Sequence, residues 1–512
     1  MNHLITAIVF LPMVAAIVIM MTKVVRNHNE KVIAIAIGAS FLTFLAALGL
    51  VVVFDSDHHG MQLVTSVEWV SVLNIYYKVG VDGISLCLVV LTAFLGALAI
   101  YFSQDHRKNL KYFLALILML ESGTMGVFVA MDSILFYVFW ELMLIPTYFL
   151  IGIWGEGNKV YATTKFVIYT LVGSLLMLIG LIWVTMVHYD LTQTLTFDIP
   201  TLLQTQIPAD IQLYMFLFFF LAFAVKLPIF PFHSWLPHAY VSCPIPVLIL
   251  MTGAMSKAGA YGLIRFCLPL FPEAIADWGL WIATAAAGGI VYGAWIAMTQ
   301  RDLKALVAYS SISHLGLIAL GIFAFNGQGI EGSVLQMVNH GIIASALFII
   351  VGILEKRLRT RNLDQIRGMK TQMPVLYGIF MLITLAALGM PGLNGFVGEF
   401  LILMGVWGSH LLDGMAGLFV LAAGLGIVFA SVYMLFMFQG TMQEPLEPKF
   451  DDVKDLNWKE LNLLIPACIL VVAIGLYPKP VIDRVSPAVD HMLHMEKKFK
   501  AFGADSGSGG GH

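Results

Sequence analysis

The amino-acid sequence predicts an all-α polytopic membrane protein with about fourteen transmembrane helices, including two inverted five-helix repeats that each contain a broken helix. Three observations support this prediction. Hydrophobic residues fill 59% of the 512 positions, charged residues fill only 12%, and the mean hydropathy is +0.88. Apolar runs long enough to cross a bilayer recur along the whole chain. Basic residues collect in alternate loops.

Polar residues divide the sequence into fourteen apolar spans. We place them at residues 4–22, 32–54, 81–102, 111–130, 133–153, 161–187, 211–237, 244–266, 278–298, 303–325, 334–354, 373–408, 416–440 and 460–477. Prolines interrupt the seventh, and the twelfth is a broken element that can be one span plus a half-helix. The first has no basic residue before its long apolar core, which indicates a retained helix.

The distribution of charge tests this division. Of the 28 lysines and arginines, nineteen lie in or beside the loops after odd-numbered spans, whereas the loops after even-numbered spans hold Lys78 alone. Positive residues in short loops favour the cytoplasmic side of a membrane. We therefore expect both chain termini on the outer side.

Several classes of protein and site are disfavoured. The net charge of −3 gives no indication of nucleic-acid binding. The cysteines form no CxxC pair, which argues against a disulfide framework or an iron–sulfur cluster. The sequence also lacks a glycine-rich phosphate loop, a metal-ligand histidine spacing and a nucleophilic triad. His233 and His238 lie in a proline-rich break, where a conformational or protonic role is favoured over a metal.

Two lysines remain at bilayer depth. Lys226 ends an apolar run and is followed at once by the sequence LPIFPFH, and Lys257 lies among small residues in the middle of a span. A charge at the bilayer centre costs roughly 3 kcal/mol on insertion scales and usually marks an ion or proton pathway. Irregular backbone at that depth lines a cavity or a binding site. The alternative is a side chain that reaches back to the interface.

A second broken segment, LGMPGLNGFVGE, ends at Glu399 and lies five spans after the first. An odd offset means that two repeats run through the membrane in opposite directions, as in many secondary transporters. The alternative is that proline and glycine are simply common in membrane helices. The expected division is N-terminal helices at 1–110, repeats at 111–266 and 278–440, a C-terminal loop, last helix and tail at 441–500, and a flexible tail at 501–512.

Further ionisable residues lie inside spans. Glu141 is mid-span, and pairing with Lys226 would stabilise both charges. Separating the two would then favour release of the lysine's proton, although a static structural pair is the alternative.

Two histidines also lie inside spans. His314 follows a serine-rich run and His340 follows Asn339. Histidine can pass a proton near neutral pH, and trapped water could complete such a chain, although a structural role is equally open. Glu121 is an additional candidate. Asp82 and Asp132 lie near span ends, where they can face solvent.

Five motifs occur in the order found in a known family. They are WELMLIPTYF from Trp140, KLPIFPFHSWLP from Lys226, SKAGAYGLIR from Ser256, AYSSISH from Ala308 and GFVGEF from Gly395. Over its whole length the chain resembles the antiporter-like subunits of NADH-quinone oxidoreductase (respiratory complex I), and most closely the subunit M, or chain 4, family. Glutamate at 399 supports this placement, because Mrp-type and the other antiporter-like subunits usually carry lysine there.

The resemblance implies proton translocation driven by electron transfer from NADH to quinone in other subunits. It implies no redox centre in this chain, with NADH, FMN, iron–sulfur clusters and quinone bound by partners. Those partners include neighbouring antiporter-like membrane subunits in a bacterial inner membrane, with both termini on the periplasmic side. Position by position, the implied site residues are Glu141 and Lys226 as a glutamate–lysine pair, Lys257 as the connecting lysine, Glu399 at the far end of the polar axis, and His233, His314 and His340 along it.

One segment departs from the family pattern. After Trp235 and Leu-Pro, the family usually reads Asp-Ala-His, whereas this chain has His238-Ala-Tyr240 and then the sequence CPIPV from Cys243. The change leaves the lysines intact and concerns the gating or hydration of the site. Two alternative functions stay open: a cation/proton antiporter subunit of an Mrp-type or hydrogenase-linked complex, and a purely structural membrane subunit.

Overall fold

The structure is a computed structural model. It describes residues 3–22, 29–105 and 108–507, with side chains for all of these except 105 and 495–507. The first half contains α1 (Leu4–Met21), α2 (Asn29–Val53), β1 (Gln62–Val70), β2 (Ile75–Val81), α3 (Gly83–Phe102), α4 (Leu110–Val129), α5 (Ser133–Trp154), α6 (Lys159–Thr192), α7 (Ile199–Leu202), α8 (Ala209–Lys226), α9 (Leu236–Ser242) and α10 (Ile245–Leu270). The second half contains α11 (Pro272–Thr299), α12 (Leu303–Ile322), α13 (Gly327–Leu358), α14 (Pro374–Ala387), α15 (Asn394–Trp407), α16 (Ala416–Gln443), α17 (Trp458–Leu476) and α18 (Lys479–Gly507).

The predicted fold class is confirmed. In the described part of the chain, 13 helices are long and apolar enough to cross a membrane. The shorter apolar helices α14 and α15 account for the twelfth, broken element of the sequence prediction. The inverted-repeat arrangement stays a prediction. Of the basic residues that support the orientation, Lys23, Arg26 and Arg107 lie outside the described residues.

The membrane-spanning helices differ in how deeply they lie within the bundle. The membrane windows of α10 and α13 are completely buried inside the protein, whereas only a third of those of α2, α16 and α17 is buried. An apolar helix that is enclosed on all sides belongs to the protein core, and one that exposes an apolar face can contact lipid. Any polar side chain on α10 or α13 therefore needs partners within the bundle.

Both predicted helix breaks are present. Helix α8 ends at Lys226, and the following residues, including Pro228, are not helical until α9 begins. Proline removes a backbone donor and clashes with the preceding turn, which explains the interruption. In the second break, Gly389 and Gly392 between α14 and α15 have φ of 75° and 91°. Glycine adopts this left-handed conformation without a steric penalty.

The segment between the second and third spans forms a β-hairpin that the sequence analysis did not predict. Strands β1 and β2 pair antiparallel, and Met131 beside α5 donates a backbone hydrogen bond of 2.8 Å to Lys78 on β2. The hairpin thus closes one end of the helical bundle.

The expectation that Asp82 and Asp132 face solvent is wrong. Their residues are 4% and 1% exposed. Asp82 caps α3 in a reciprocal capping box with Ser85, and it also accepts a hydrogen bond from Arg265. Asp132 caps α5. The first turn of a helix leaves backbone N–H groups free, and these carboxylates satisfy them.

Beyond the last span the chain continues as α18, where the sequence analysis expected only a tail. This helix packs against α3 and α13. Its apolar side chains recur on one face, with Val485, Val489 and Met492 buried, which is typical of a helix lying on a surface. Residues 508–512 of the expected flexible tail lie outside the described residues.

Removing the acidic partner of the Asp82–Arg265 ion pair should destabilise the protein far more than removing that of the Arg301–Asp364 pair. Side-chain exposure is 6% and 14% in the first pair and 55% and 61% in the second. Asp82→Asn keeps a capping side chain but leaves a buried guanidinium unpaired, which costs about 3–5 kcal/mol. Asp364→Asn, the matched control, should cost about 0–1 kcal/mol. Thermal unfolding of the purified assembly measures both, and equal losses would contradict this assignment.

Candidate functional site

Lys257 occupies the centre of the enclosed helix α10 and is completely buried. Its ammonium nitrogen Nζ donates to the carbonyl of Thr252, lies 3.4 Å from Ser256 Oγ and lies 2.8 Å from His340 Nδ1. The turn before it, Met251–Met255, is π-helical. Such a widened turn often occurs at functional sites. The lysine is thus held by three polar atoms in an otherwise apolar core.

A row of ionisable side chains continues from this lysine. The imidazole rings of His340 and His314 have centroids 5.7 Å apart. His314 Nδ1 lies 3.5 Å from Glu399 Oε1, and Gln336 Nε2 lies 3.5 Å from the same oxygen. We call Lys257, His340, His314 and Glu399 the central row. It crosses from α10 through α13 and α12 to α15.

A small cavity lies along the central row. His314, His340, Gln336 and Glu399 are among its lining residues, and its volume is about 10 Å³. That is about the space required for a single water molecule, and the polar lining supplies hydrogen-bond partners. The two histidine rings flank this cavity, and no direct hydrogen bond joins them in the described residues.

The broken second element positions Glu399. A Cβ added at Gly389 would lie 2.3 Å from Glu399 Oε2, so the left-handed glycine makes room for the carboxylate. The amide of Asn339 donates a 2.7 Å hydrogen bond to the carbonyl of Asn394, which ties α13 to the start of α15. Because α15 begins only after the break, its first turns can face the core of the bundle.

Lys226 is 2% exposed and ends α8 beside an aromatic ring. Its ammonium lies 5.2 Å from the centroid of Trp140, a distance suited to a cation–π interaction. Glu141, the next residue, interacts electrostatically with Lys226. No hydrogen bond or contact ion pair joins the two within the described residues. The predicted partners are therefore neighbours, with Trp140 as an additional partner that the sequence analysis did not assign.

The two lysine-bearing segments touch through their backbones. A Cβ at Gly259 of α10 would lie 2.6 Å from the Leu227 nitrogen and 2.7 Å from the Phe223 oxygen, at the end of α8. Only glycine permits this approach. The break after Lys226 is thereby packed directly against the turn that follows Lys257.

Two predicted residues lie apart from the central row. Glu121 on α4 is completely buried against Gly96, and both carboxyl oxygens are without a hydrogen-bond partner in the described residues. His233 lies in the first break, stacked on Phe230 at 5.4 Å and edge-on to Tyr292 at 5.0 Å. The structure does not join either residue to Lys257 or Glu399 by a described contact.

The structure adds polar residues that the sequence analysis missed. Gln336 lies one helical turn before His340, so the spacing of four residues could have indicated that both face one side. Tyr433 on α16 lies near Glu399, and its hydroxyl is buried. Nothing in the sequence near Tyr433 indicates this contact, because it depends on how α16 packs.

The central row combines an ammonium, two imidazoles and a carboxyl group, each able to bind or release a proton. Its enclosure by apolar helices separates these groups from bulk water. Among the residues that the structure describes, no group of three His, Cys, Asp or Glu side chains could hold a metal ion. The arrangement is therefore suited to stepwise proton transfer.

Comparison with known proteins gives a consistent result. Residues 130–426 match the family described as NADH:quinone oxidoreductase/Mrp antiporter, transmembrane. The chain is 36% identical over 505 residues to NADH-quinone oxidoreductase subunit M of Rhodobacter capsulatus, covering 96% of this chain and 97% of the relative.

Solved structures resemble the fold as well. A chain of respiratory complex I from Thermus thermophilus superposes with a TM-score of 0.86 and 28% identity, covering 96% of this chain and 99% of that one. A chain of the Mrp complex from Dietzia sp. gives 0.80 at 21% identity, covering 95% of this chain and 52% of that one, a likeness of fold alone. The chain belongs to the NADH:quinone oxidoreductase/Mrp antiporter family of membrane subunits, and within it to the subunit M group.

Proposed function

We propose that this chain translocates protons as the M-type membrane subunit of an NADH-quinone oxidoreductase, with the central row as its proton path. The observation that carries the proposal is the 2.8 Å contact between Lys257 Nζ and His340 Nδ1 inside two fully enclosed helices. A buried ionisable pair at bilayer depth is expensive to maintain, which favours a role in transport.

The proposed transfer runs from Lys257 to Glu399. The ammonium of Lys257 gives a proton to His340 Nδ1, and His340 releases one from its other ring nitrogen to a water in the adjacent cavity. That water passes a proton to His314, which passes one to the Glu399 carboxylate 3.5 Å away. The next incoming proton regenerates the Lys257 ammonium, and Glu399 returns to a carboxylate when it releases its proton to the exit side, so the row needs no electron transfer of its own.

We propose that Glu141 and Lys226 control entry to this row. While Glu141 acts on the Lys226 ammonium, it stabilises the positive charge. Moving Glu141 away would favour release of the lysine's proton toward Lys257, across the glycine contact between α8 and α10. Glu121 and His233 are secondary candidates, since each is a buried ionisable group with a polar atom left unpaired in the described structure.

The wider assembly follows from the family. We propose that residues 111–266 and 278–440 form the two inverted repeats, and that the chain itself holds no redox centre. NADH, FMN, iron–sulfur clusters and quinone would be bound by other subunits. The apolar outer helices would contact neighbouring antiporter-like subunits and lipid in a bacterial inner membrane, with both termini on the periplasmic side.

The second candidate is a cation/proton antiporter subunit, favoured by the fold likeness to the Mrp complex. Purification from the native membrane separates the two. Co-purifying NADH dehydrogenase and quinone-binding subunits support the redox-driven pump. Sodium/proton exchange by a complex that lacks those subunits would contradict it.

Lys257→Met should lower proton pumping coupled to quinone reduction by about tenfold or more, because an essential proton donor is lost. The matched control is Lys370→Met, since Lys370 is exposed and lies over Tyr377 outside the central row. Both are measured as proton uptake per NADH oxidised in proteoliposomes that contain the whole complex. Normal pumping in an assembled Lys257→Met complex would refute the proposed path.

Glu399→Gln should also impair pumping, because the amide keeps the shape of the carboxyl group but cannot accept and hold a proton. Glu273→Gln at the exposed start of α11 is the control. We expect the Glu399 variant to lose about tenfold in pumping-linked turnover and the control to lose little. The same proteoliposome assay applies, and equal activities would remove Glu399 from the path.

Lys226→Ala and Glu141→Gln should not be additive. Groups that interact electrostatically share one function, so the double variant should lose little more than Lys226→Ala alone. The measurement is NADH-driven quinone reduction and proton pumping for both single variants and the double variant. If the losses multiply as independent effects, Glu141 does not act through Lys226. Wild-type turnover and pumping in Lys226→Ala would remove this lysine from the path.

A further inference from the structure

We propose that Tyr240 relays protons between Lys257 and an ion-lined pocket at the end of the bundle that carries the basic loops. The inference rests on the proposed function, since it supplies the central row with a connection to water. It concerns a residue in the segment where the chain departs from its family.

Tyr240 lies on the short helix α9, between the first break and the start of α10, and it is completely buried. Its ring packs edge-on against Phe348 with centroids 5.9 Å apart. The hydroxyl is without a well-formed hydrogen bond in the described structure. A buried hydroxyl without a hydrogen bond is destabilising, so its presence in the core calls for an explanation beyond packing.

The Tyr240 hydroxyl interacts with the side chains of Thr252 and Ser256, although neither closes a hydrogen bond of good geometry with it. The Thr252 hydroxyl is likewise buried and unpaired in the described residues. Both hydroxyl groups therefore keep a donor and an acceptor available for exchanging a proton. Together with Ser256 they form a set of hydroxyl groups beside Lys257.

This cluster joins the central row at Lys257. Ser256 Oγ lies 3.4 Å from Lys257 Nζ, and the backbone carbonyl of Thr252 accepts from the same ammonium. The widened turn of α10 brings both residues to the lysine. Tyr240 is therefore separated from the central row by one hydroxyl group.

The segment that follows α9 in the chain lines a pocket of about 350 Å³. Glu156, Lys304 and Glu355 line this pocket together with Pro244 and Ile245, which follow α9 in the chain. The Lys304 side chain is 2% exposed, and its Nζ lies 3.3 Å from Glu355 Oε2 and 3.8 Å from Glu156 Oε2. The Glu156 side chain is 60% exposed, so the pocket connects to solvent through an acidic group.

Helix α9 is hydrogen-bonded to a residue that lines the pocket. The Glu156 backbone nitrogen donates a 2.8 Å hydrogen bond to the carbonyl of Ser242, the last residue of α9. The next residue, Cys243, lies near Lys304. The pocket wall and the Tyr240 helix thus form one packed unit.

The proposed step conserves atoms and charge. Tyr240 releases its hydroxyl proton toward the Thr252–Ser256 side and accepts a proton from a water on the pocket side, or the reverse. One O–H bond breaks as another forms, and the phenol is regenerated without oxidation. Tyrosine can do this because its hydroxyl both donates and accepts, as the imidazole usual at this family position also does.

The test compares Tyr240→Phe with Tyr240→His in the assembled complex. Tyr261→Phe is the matched control, because Tyr261 on α10 is 2% exposed and its hydroxyl donates to the Phe128 carbonyl, away from Lys257. We expect Tyr240→Phe to lower pumping-coupled turnover by about tenfold and to change its solvent deuterium isotope effect. Tyr240→His should restore both, and Tyr261→Phe should change neither in assembled complex.

Equal behaviour of Tyr240→Phe and wild type, or of the Phe and His variants, would overturn the relay. If Tyr240→Phe does not assemble, Thr252→Val decides, because it removes the facing hydroxyl and keeps the carbonyl that holds Lys257. It should reduce turnover in the same direction, and wild-type turnover would overturn the relay. Lys257→Met separates the two proposals: if it is inactive while Tyr240→Phe is normal, only the relay fails.

Discussion

The contact between Lys257 and His340 is the constraint on which the rest of the interior depends. An ammonium group has three N–H donors. The described acceptors around Lys257 are also three in number: the Thr252 carbonyl, Ser256 Oγ and His340 Nδ1. A charge buried in an apolar environment is tolerated only when it is paired and hydrogen-bonded. The widened turn of α10 and the position of α13 together supply that set, so the two enclosed helices must stay in register.

The irregular backbone at the helix breaks provides hydrogen-bond partners for other polar side chains of the interior. A regular helix uses nearly all its carbonyl groups internally, and membrane-spanning segments have no water to replace them. At the second break, the carbonyl of Asn394, the first residue of α15, accepts a hydrogen bond from the side chain of Asn339 on α13. Glycine allows the close approaches, at Gly389 beside Glu399 and at Gly259 beside the end of α8. The interrupted helices and their glycines thus accommodate the polar side chains of the interior.

The spans, both breaks and the residues of the central row could be predicted from the sequence, because hydropathy, proline, glycine and buried charge are local signals along the chain. It did not predict what depends on packing. The hairpin β1–β2 and the surface helix α18 lie outside the hydropathy signal. Trp140 begins one of the family motifs, yet the position of its ring beside the Lys226 ammonium depends on how α5 packs against α8. Asp82 was expected at a surface, and its burial follows from the arginine that α10 brings to it.

Lys257 is best understood as a junction because its three hydrogen-bond acceptors differ in kind. The Thr252 carbonyl cannot carry a proton onward, so it fixes the ammonium in place. His340 can accept a proton and pass it along the central row toward Glu399, while Ser256 can exchange one with the Tyr240 side. A carboxyl group at the far end complements this arrangement, because a proton that leaves a cationic lysine ends on a group that it neutralises. A lysine at position 399 would instead receive the proton as a neutral amine and become a cation beside His314, so the transfer would end on a charged group rather than a neutral one.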